Sequence, residues 1–343
     1  MCLCTSCRFG ELCQYSMELM SYTLDSLMIK DITNENTKTK AIIVFISSSV
    51  LLFFFGTLTN SLSIITFKRH KPRENIVGSY LLQNSIINQC SLFFLLMKIV
   101  HIILSSTNLL RNDLFNLILC KTISYSLSVS TRMNYWFSSW VTLTRLGLAL
   151  FPTARFWKNN LFGHFISILT VLIVLGMHVH ELIFYVIIDN PQSTSVQLCV
   201  TNYSSQVWFN YNKISVLVHY LVPCALQLLS ITLLILTLVR SRLRSTGNQS
   251  YRNVILWQIK ANKEAYITPL ILLISALPQA ILAFNLACSE INQNWQRYSL
   301  LSAYFFSYSP QILGFILFVL PSTLYRTEFY QTPFAKRLCK PSI

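Results

Sequence analysis

The chain has 343 residues, of which 53% are hydrophobic and only 11% charged, with a formal net charge of +15. Soluble domains carry about 25% charged residues, so this composition excludes a soluble core and belongs to a polytopic membrane protein. The basic residues form no single patch but sit in short stretches between apolar runs, which argues against a nucleic-acid partner and makes the charge a topology signal.

The first 40 residues hold no apolar run of signal-peptide length, and Glu11, Glu18, Asp25 and Asp31 are scattered through them. Residues 1–40 therefore read as an extracellular segment, and the first apolar run directs insertion. Seven runs of spanning length follow, at 41–67, 76–104, 117–149, 162–188, 214–240, 265–288 and 299–321, which make 41–321 a membrane bundle. The connection after the first run carries Lys68, Arg69, Lys71 and Arg73, and the one after the third carries Arg155 and Lys158 with Arg145 at its edge. The one after the fifth carries Arg240, Arg242, Arg244, Arg252, Lys260 and Lys263, and the tail adds Arg326, Lys336, Arg337 and Lys340. The alternate connections are poorer in Lys and Arg. This bias predicts an all-α, seven-transmembrane helix bundle with its N-terminus outside and its C-terminus in the cytoplasm. The lipid bilayer, specifically the plasma membrane, is its expected surrounding.

Cys120 and Arg145 lie 25 residues apart on the third run. A helix of that length covers roughly 37 Å, more than a hydrocarbon core of about 30 Å, so the two mark opposite membrane faces. Cys120 and Cys199 both fall on the outer side, where they can form a disulfide. Asn202-Tyr203-Ser204 is a glycosylation sequon on that side, whereas Asn248-Gln249-Ser250 lies inside and is expected to stay unmodified. Cys2, Cys4, Cys7 and Cys13 pair among themselves or with Cys288; sequence does not choose. Over residues 322–343, Leu324, Phe329 and Phe334 alternate with Arg326, Lys336 and Arg337, the pattern of a short amphipathic helix on the inner surface, limited by Pro333. Cys339 beside basic residues is a palmitoylation candidate or else a free thiol.

Two cations fall in the outer or middle part of the membrane, Lys98 on the second run and Arg132 on the third. An intramembrane cation is a functional-site candidate, here for a carboxylate or other acceptor on a ligand. The alternatives are an Arg132–Glu181 pair and a Lys98 that reaches outward to water. His178-Val179-His180-Glu181 raises an intramembrane metal-dependent enzyme as a competing function. Helical residues two apart point about 200° from each other, however, so the two histidines do not share a face, and no HExxH pattern accompanies them. His178 and Glu181 do share one, within reach of His219. A transporter or channel is the other alternative, but the chain has only eight glycines and no visible internal repeat. No metal site is expected.

Across about residues 41–330 the chain resembles the rhodopsin-like family of G-protein-coupled receptors. The residues that carry the likeness are Gly56 and Asn60 in GTLTN, Asn88, Cys120, Thr144-Arg145-Leu146, Pro152, Pro223, Pro278 and the Leu320-Pro321-Ser322-Thr323-Leu324-Tyr325 end of the last run. The resemblance implies a receptor that binds an extracellular ligand and activates a heterotrimeric G protein through Arg145, with Pro278, Pro321 and Tyr325 taking part in activation. Asn60 and Asn88 are expected to form an interhelical polar network. There are departures. Thr144 and Gln258 stand where many members have acids, so either packing or Glu264 restrains the inactive state, or basal signalling is raised. Asn88 replaces an aspartate that binds sodium, and Ala276 replaces the tryptophan before Pro278. Leu127 occupies the position of the amine-pairing aspartate, so a peptide or a small polar or acidic ligand is expected instead of an amine. The last run has no lysine for retinal, and no cofactor is implied.

Overall fold

The computed structural model describes residues 8–9, 15–16, 23–34, 36–107, 109, 112–190, 193–203, 205–246, 254, 263–285 and 294–338. Short strands β1 (Arg8–Phe9) and β2 (Tyr15–Ser16) pair antiparallel ahead of α1 (Leu24–Thr33). Long helices then dominate: α2 (Lys38–Phe67), the short α3 (His70–Glu74), α4 (Ile76–Ser106), α5 (Asp113–Leu150) and α6 (Asn160–Phe184). Asparagine starts three of them. The side chains of Asn75, Asn112 and Asn159 accept from the backbone N–H groups of Val77, Phe115 and Leu161 at 3.1, 3.2 and 3.0 Å, satisfying first-turn donors of α4, α5 and α6.

The fourth apolar run does not stay helical to residue 188. At Tyr185 the chain turns into β3 (Tyr185–Asn190), which pairs antiparallel with β4 (Ser193–Thr201). Tyr185, Val186, Ile187 and Ile188 are aromatic or β-branched and suit a pleated surface better than a helix. The hairpin is a strand pair within an otherwise mostly helical fold. Next come α7 (Gln206–Thr246), which contains Pro223, and α8 (Lys263–Asn285), which contains Pro278. The last apolar run is broken into α9 (Asn294–Phe306), α10 (Ser309–Gly314) and a π-helical turn at Phe315–Val319. Pro321 therefore closes this helical stack; it does not kink a continuous span. Helices α11 (Thr323–Tyr330) and α12 (Pro333–Leu338) follow, so the amphipathic tail is two short helices divided just before Pro333.

Five of these elements are long and apolar enough to cross a membrane: Lys38–Phe67, Ile76–Ser106, Asn160–Phe184, Gln206–Arg244 and Asn294–Val319. Their outward faces are greasy. On α2, Ile43, Phe54 and Phe55 are more than half exposed, as expected where lipid replaces water. The protein is thus a multi-pass helical membrane protein. Helix α5 is not among the five. It lies in the middle, packed on α4, α6 and α7, and its buried face carries Ser124, Ser130, Thr131, Asn134, Ser138, Ser139 and Thr142.

Two apolar clusters fill the bundle. One joins Phe67, Tyr80, Phe137, Val141, Phe318 and Tyr325 at the end where Arg145 lies. The other joins Leu95, Ile99, Leu127, Leu300, Leu301 and Tyr308 to Leu24, Leu27, Met28 and Ile32 of α1 at the opposite end. Gly56 permits close contact of α2 and α4, since a Cβ there would run into the side chain of Leu92.

Candidate functional site

Cys120 and Cys199 form a disulfide with their Cα atoms 5.7 Å apart, which fixes the β3–β4 hairpin to α5. A polar network supports it. His101 Nε2 lies 2.8 Å from Asn116 Oδ1, and Asn116 Nδ2 donates to Gln197 Oε1 at 2.8 Å, tying α4, α5 and β4 together. Asn202, just past β4, is exposed.

Lys98 is buried beneath this hairpin and does not reach outward. Its ammonium sits 2.7 Å from Asp25 Oδ2 of α1 and donates to Ser124 Oγ at 3.0 Å; that hydroxyl is 3.6 Å from Cys199 Sγ. Leu127, one turn deeper on α5, belongs to the apolar cluster that holds α1. A second pair secures the other end of α1: Arg297 Nη2 meets Asp31 Oδ1 at 2.6 Å, and the Tyr298 hydroxyl donates to the same oxygen at 3.2 Å. All four ionic side chains are buried. Charges removed from water this far require partners, which each finds in the other. Two of the ligand candidates, Lys98 and Leu127, are therefore covered by the chain's own N-terminal helix.

Arg132 belongs to a different place, between α5, α6 and α7. Its Nη1 donates to the Tyr220 hydroxyl at 3.1 Å, with the guanidinium 4.7 Å above the Tyr220 ring, so tyrosine takes the role expected of Glu181. Glu181 instead accepts from Ser128 Oγ at 3.0 Å and lies 2.9 Å from His178 Nδ1. Trp136 Nε1 donates to His219 Nδ1 at 2.8 Å, and the rings of His178 and His219 are 4.8 Å apart. An indole can only donate, so His219 carries its proton on Nε2. A carboxylate can only accept, so His178 donates through Nδ1. Arg132 Nε, His178 Nε2, Glu181 Oε2, Ser215 Oγ and His219 Nε2 are buried and have no hydrogen-bond partner among the described residues. Such a mixture of donors and acceptors suits a polar group that can do both. His180, its ring 6.1 Å from that of His178, bonds to Met177 O at 2.9 Å and across to Asn212 Oδ1 of α7 at 3.2 Å. Among the described residues no three His, Cys, Asp or Glu side chains are grouped to hold a metal.

At the far end of α5, Arg145 is half-buried and has no hydrogen-bond or ion-pair partner among the described residues. The side chain of Glu264, Gln258, and Cys2, Cys4, Cys7, Cys13, Cys288 and Cys339 lie outside what the structure describes. Asn60 donates to Gln89 Oε1 at 3.4 Å, and a Cβ on Gly314 would lie 3.7 Å from Asn60 Oδ1 and 3.9 Å from Asn88 Nδ2. The two asparagines thus meet the last helical stack where it has no side chain. Ala276, two residues before Pro278, packs with Tyr135 and Leu272. Tyr325 is buried edge-on against Phe67 at 5.1 Å. Behind it, Arg69 Nε donates to Glu328 Oε2 at 2.8 Å and Lys71 lies 3.5 Å from the same carboxylate, latching α11 to the turn between α2 and α3.

Neither a family model nor any curated protein matches this chain. Geometry and sequence pattern alone support its functional reading.

The sequence missed Asp25, Asp31 and Arg297. A signal was present: Leu24, Leu27, Met28 and Ile32 repeat at helical spacing with both acids between them. The histidine cluster was visible as a set of residues within reach, but its link through Trp136 was not.

Proposed function

We propose that the chain is a seven-span receptor of the rhodopsin-like kind, resident in the plasma membrane, that takes a non-amine extracellular ligand and activates a heterotrimeric G protein. The single observation that carries this reading is α5. One buried, polar helix holds a disulfide-anchored hairpin near its start and, 25 residues on, an arginine that the described residues leave unpaired. An unpaired cation at a membrane boundary favours contact with an incoming partner. In this reading α5 and α8 complete the seven spans with the five more apolar elements. The Lys and Arg distribution then puts the hairpin outside and Arg145 inside, on the side of the basic C-terminal end of α7. Pro223 and Pro278 give α7 and α8 positions at which to bend, and Tyr325 closes the cytoplasmic base.

The test is G-protein activation in cells displaying the chain, wild type beside Arg145→Ala at equal surface level, without ligand and against peptides and small acids. A signal lost in the variant is the expected result. A signal indifferent to Arg145→Ala would refute its role, and silence against every G-protein class would refute coupling while leaving the bundle intact.

A further inference from the structure

We infer that the disulfide end of the bundle is a binding site for an acidic amphipathic helix, and that α1 is its resident ligand. This deepens the receptor reading by naming a ligand class, and its signalling consequence rests on that reading.

The site has the parts such a ligand needs. Its floor is apolar, built from Leu95, Ile99, Leu127, Leu300 and Leu301. Into it α1 places Leu24, Leu27, Met28 and Ile32, at i, i+3, i+4 and i+8, the spacing of a helix laid in a groove. Two cations, Lys98 on α4 and Arg297 on α9, stand where Asp25 and Asp31 arrive. Both are buried, and a buried cation with no anion beside it is costly, so the site demands carboxylates. Arg297 retains Nε and Nη1 without a hydrogen-bond partner among the described residues, donors that a differently placed carboxylate could use.

Helix α1 is held on a second side as well, where Ile29 packs against Leu198 and Val200 of the hairpin, but its covalent link to the bundle is slight. The helix is ten residues long and joined to α2 through an exposed connection that includes Asn34, Asn36 and Thr37. An isolated helix of that length is marginal in water, so its fold comes from the site. A short tether keeps α1 at high effective concentration, and a diffusible ligand must displace it to reach Lys98.

The experiment measures binding alone, in detergent and without G protein. A protease site is inserted between Asn36 and Thr37 in a full chain carrying Cys288→Ser, so that no disulfide to that cysteine retains the cut fragment. After cleavage and a high-salt wash, a fluorescent peptide of residues 22–36 is titrated by anisotropy. Saturable binding is expected, at least tenfold weaker to the uncut chain, and at least tenfold weaker for Asp25→Asn or Asp31→Asn peptides. Lys98→Asp should reject the native peptide and regain affinity for Asp25→Lys. Should the fragment survive the wash, its retention must be lost in a chain carrying both Asp→Asn changes. No saturable binding to a cut, washed, monodisperse protein, equal affinity for the Asn peptides, or retention indifferent to the acids would each overturn the inference. The peptide variants leave the receptor unaltered, so misfolding cannot account for a negative result. Binding without signalling would sink only the receptor reading.

Discussion

Trp136 shows how one side chain's chemistry orders its surroundings. Its indole N–H has a single possible direction of donation, which sets the tautomer of His219 on the neighbouring helix. His219→Phe would leave that half-buried donor without an acceptor, at a cost of about 1 kcal/mol. Thermal unfolding of the purified protein should show the loss. The Trp136→Phe/His219→Phe double variant should unfold well above the sum of the single changes, because neither group is then stranded. A double variant whose losses simply add would mean that the bond contributes nothing. Gly147 makes the complementary point about space. A Cβ there would enter the Trp157 indole, so Gly147→Ala should displace the 3-10 turn Arg155–Lys158 and cost about 1–3 kcal/mol, read as a fall in melting temperature with altered tryptophan emission.

Elements are held by a few such contacts at their ends. The hairpin depends on Cys120–Cys199, and Cys120→Ser should lower stability by about 2–4 kcal/mol while leaving the helical circular dichroism almost unchanged. Helix α11 depends on Glu328. The hydrogen bond from Arg69 holds that carboxyl below its usual 4.5. A folded-state value below the unfolded one means that the latch stabilises α11 above about pH 4.5 and is lost as pH falls through the lowered value. A spin label at Tyr330→Cys should therefore gain mobility only on acidification, and in Glu328→Gln it should be mobile already at neutral pH with no further pH response. The sequence anticipated α2 and α4 closely because their apolar runs end at charged or capping residues that also end the helices. It missed α1, whose two acids look like solvent-facing charges until Lys98 and Arg297 are placed beside them. It missed the hairpin because Tyr185, Val186, Ile187 and Ile188 are as apolar as the helix they follow; hydropathy does not distinguish strand from helix, and β-branching is the finer cue. The π turn at Phe315–Val319 has no sequence mark at all.

For the whole molecule, pattern and structure agree on a multi-pass helical protein, and the site was legible in parts. Lys98 and Arg132 stood out because cations in apolar runs are conspicuous, yet only packing separates them into two places, one closed by α1 and the other by Tyr220. The polarity of α5 has a further consequence, for biogenesis. This helix carries Asp113, Lys121, Arg132 and Arg145 and a face of hydroxyls and amides, each unfavourable to hand to lipid before neighbours arrive. On the proposed seven-span reading, the insertion machinery therefore cannot commit α5 on its own hydrophobicity; it must hold the segment until α4 and α6 flank it. Fused alone into a glycosylation-mapping reporter, α5 should be translocated in most chains, and it should become membrane-integrated when the same reporter carries α4 through α6. The central pillar of the fold would thus settle only after the helix that follows it in the chain.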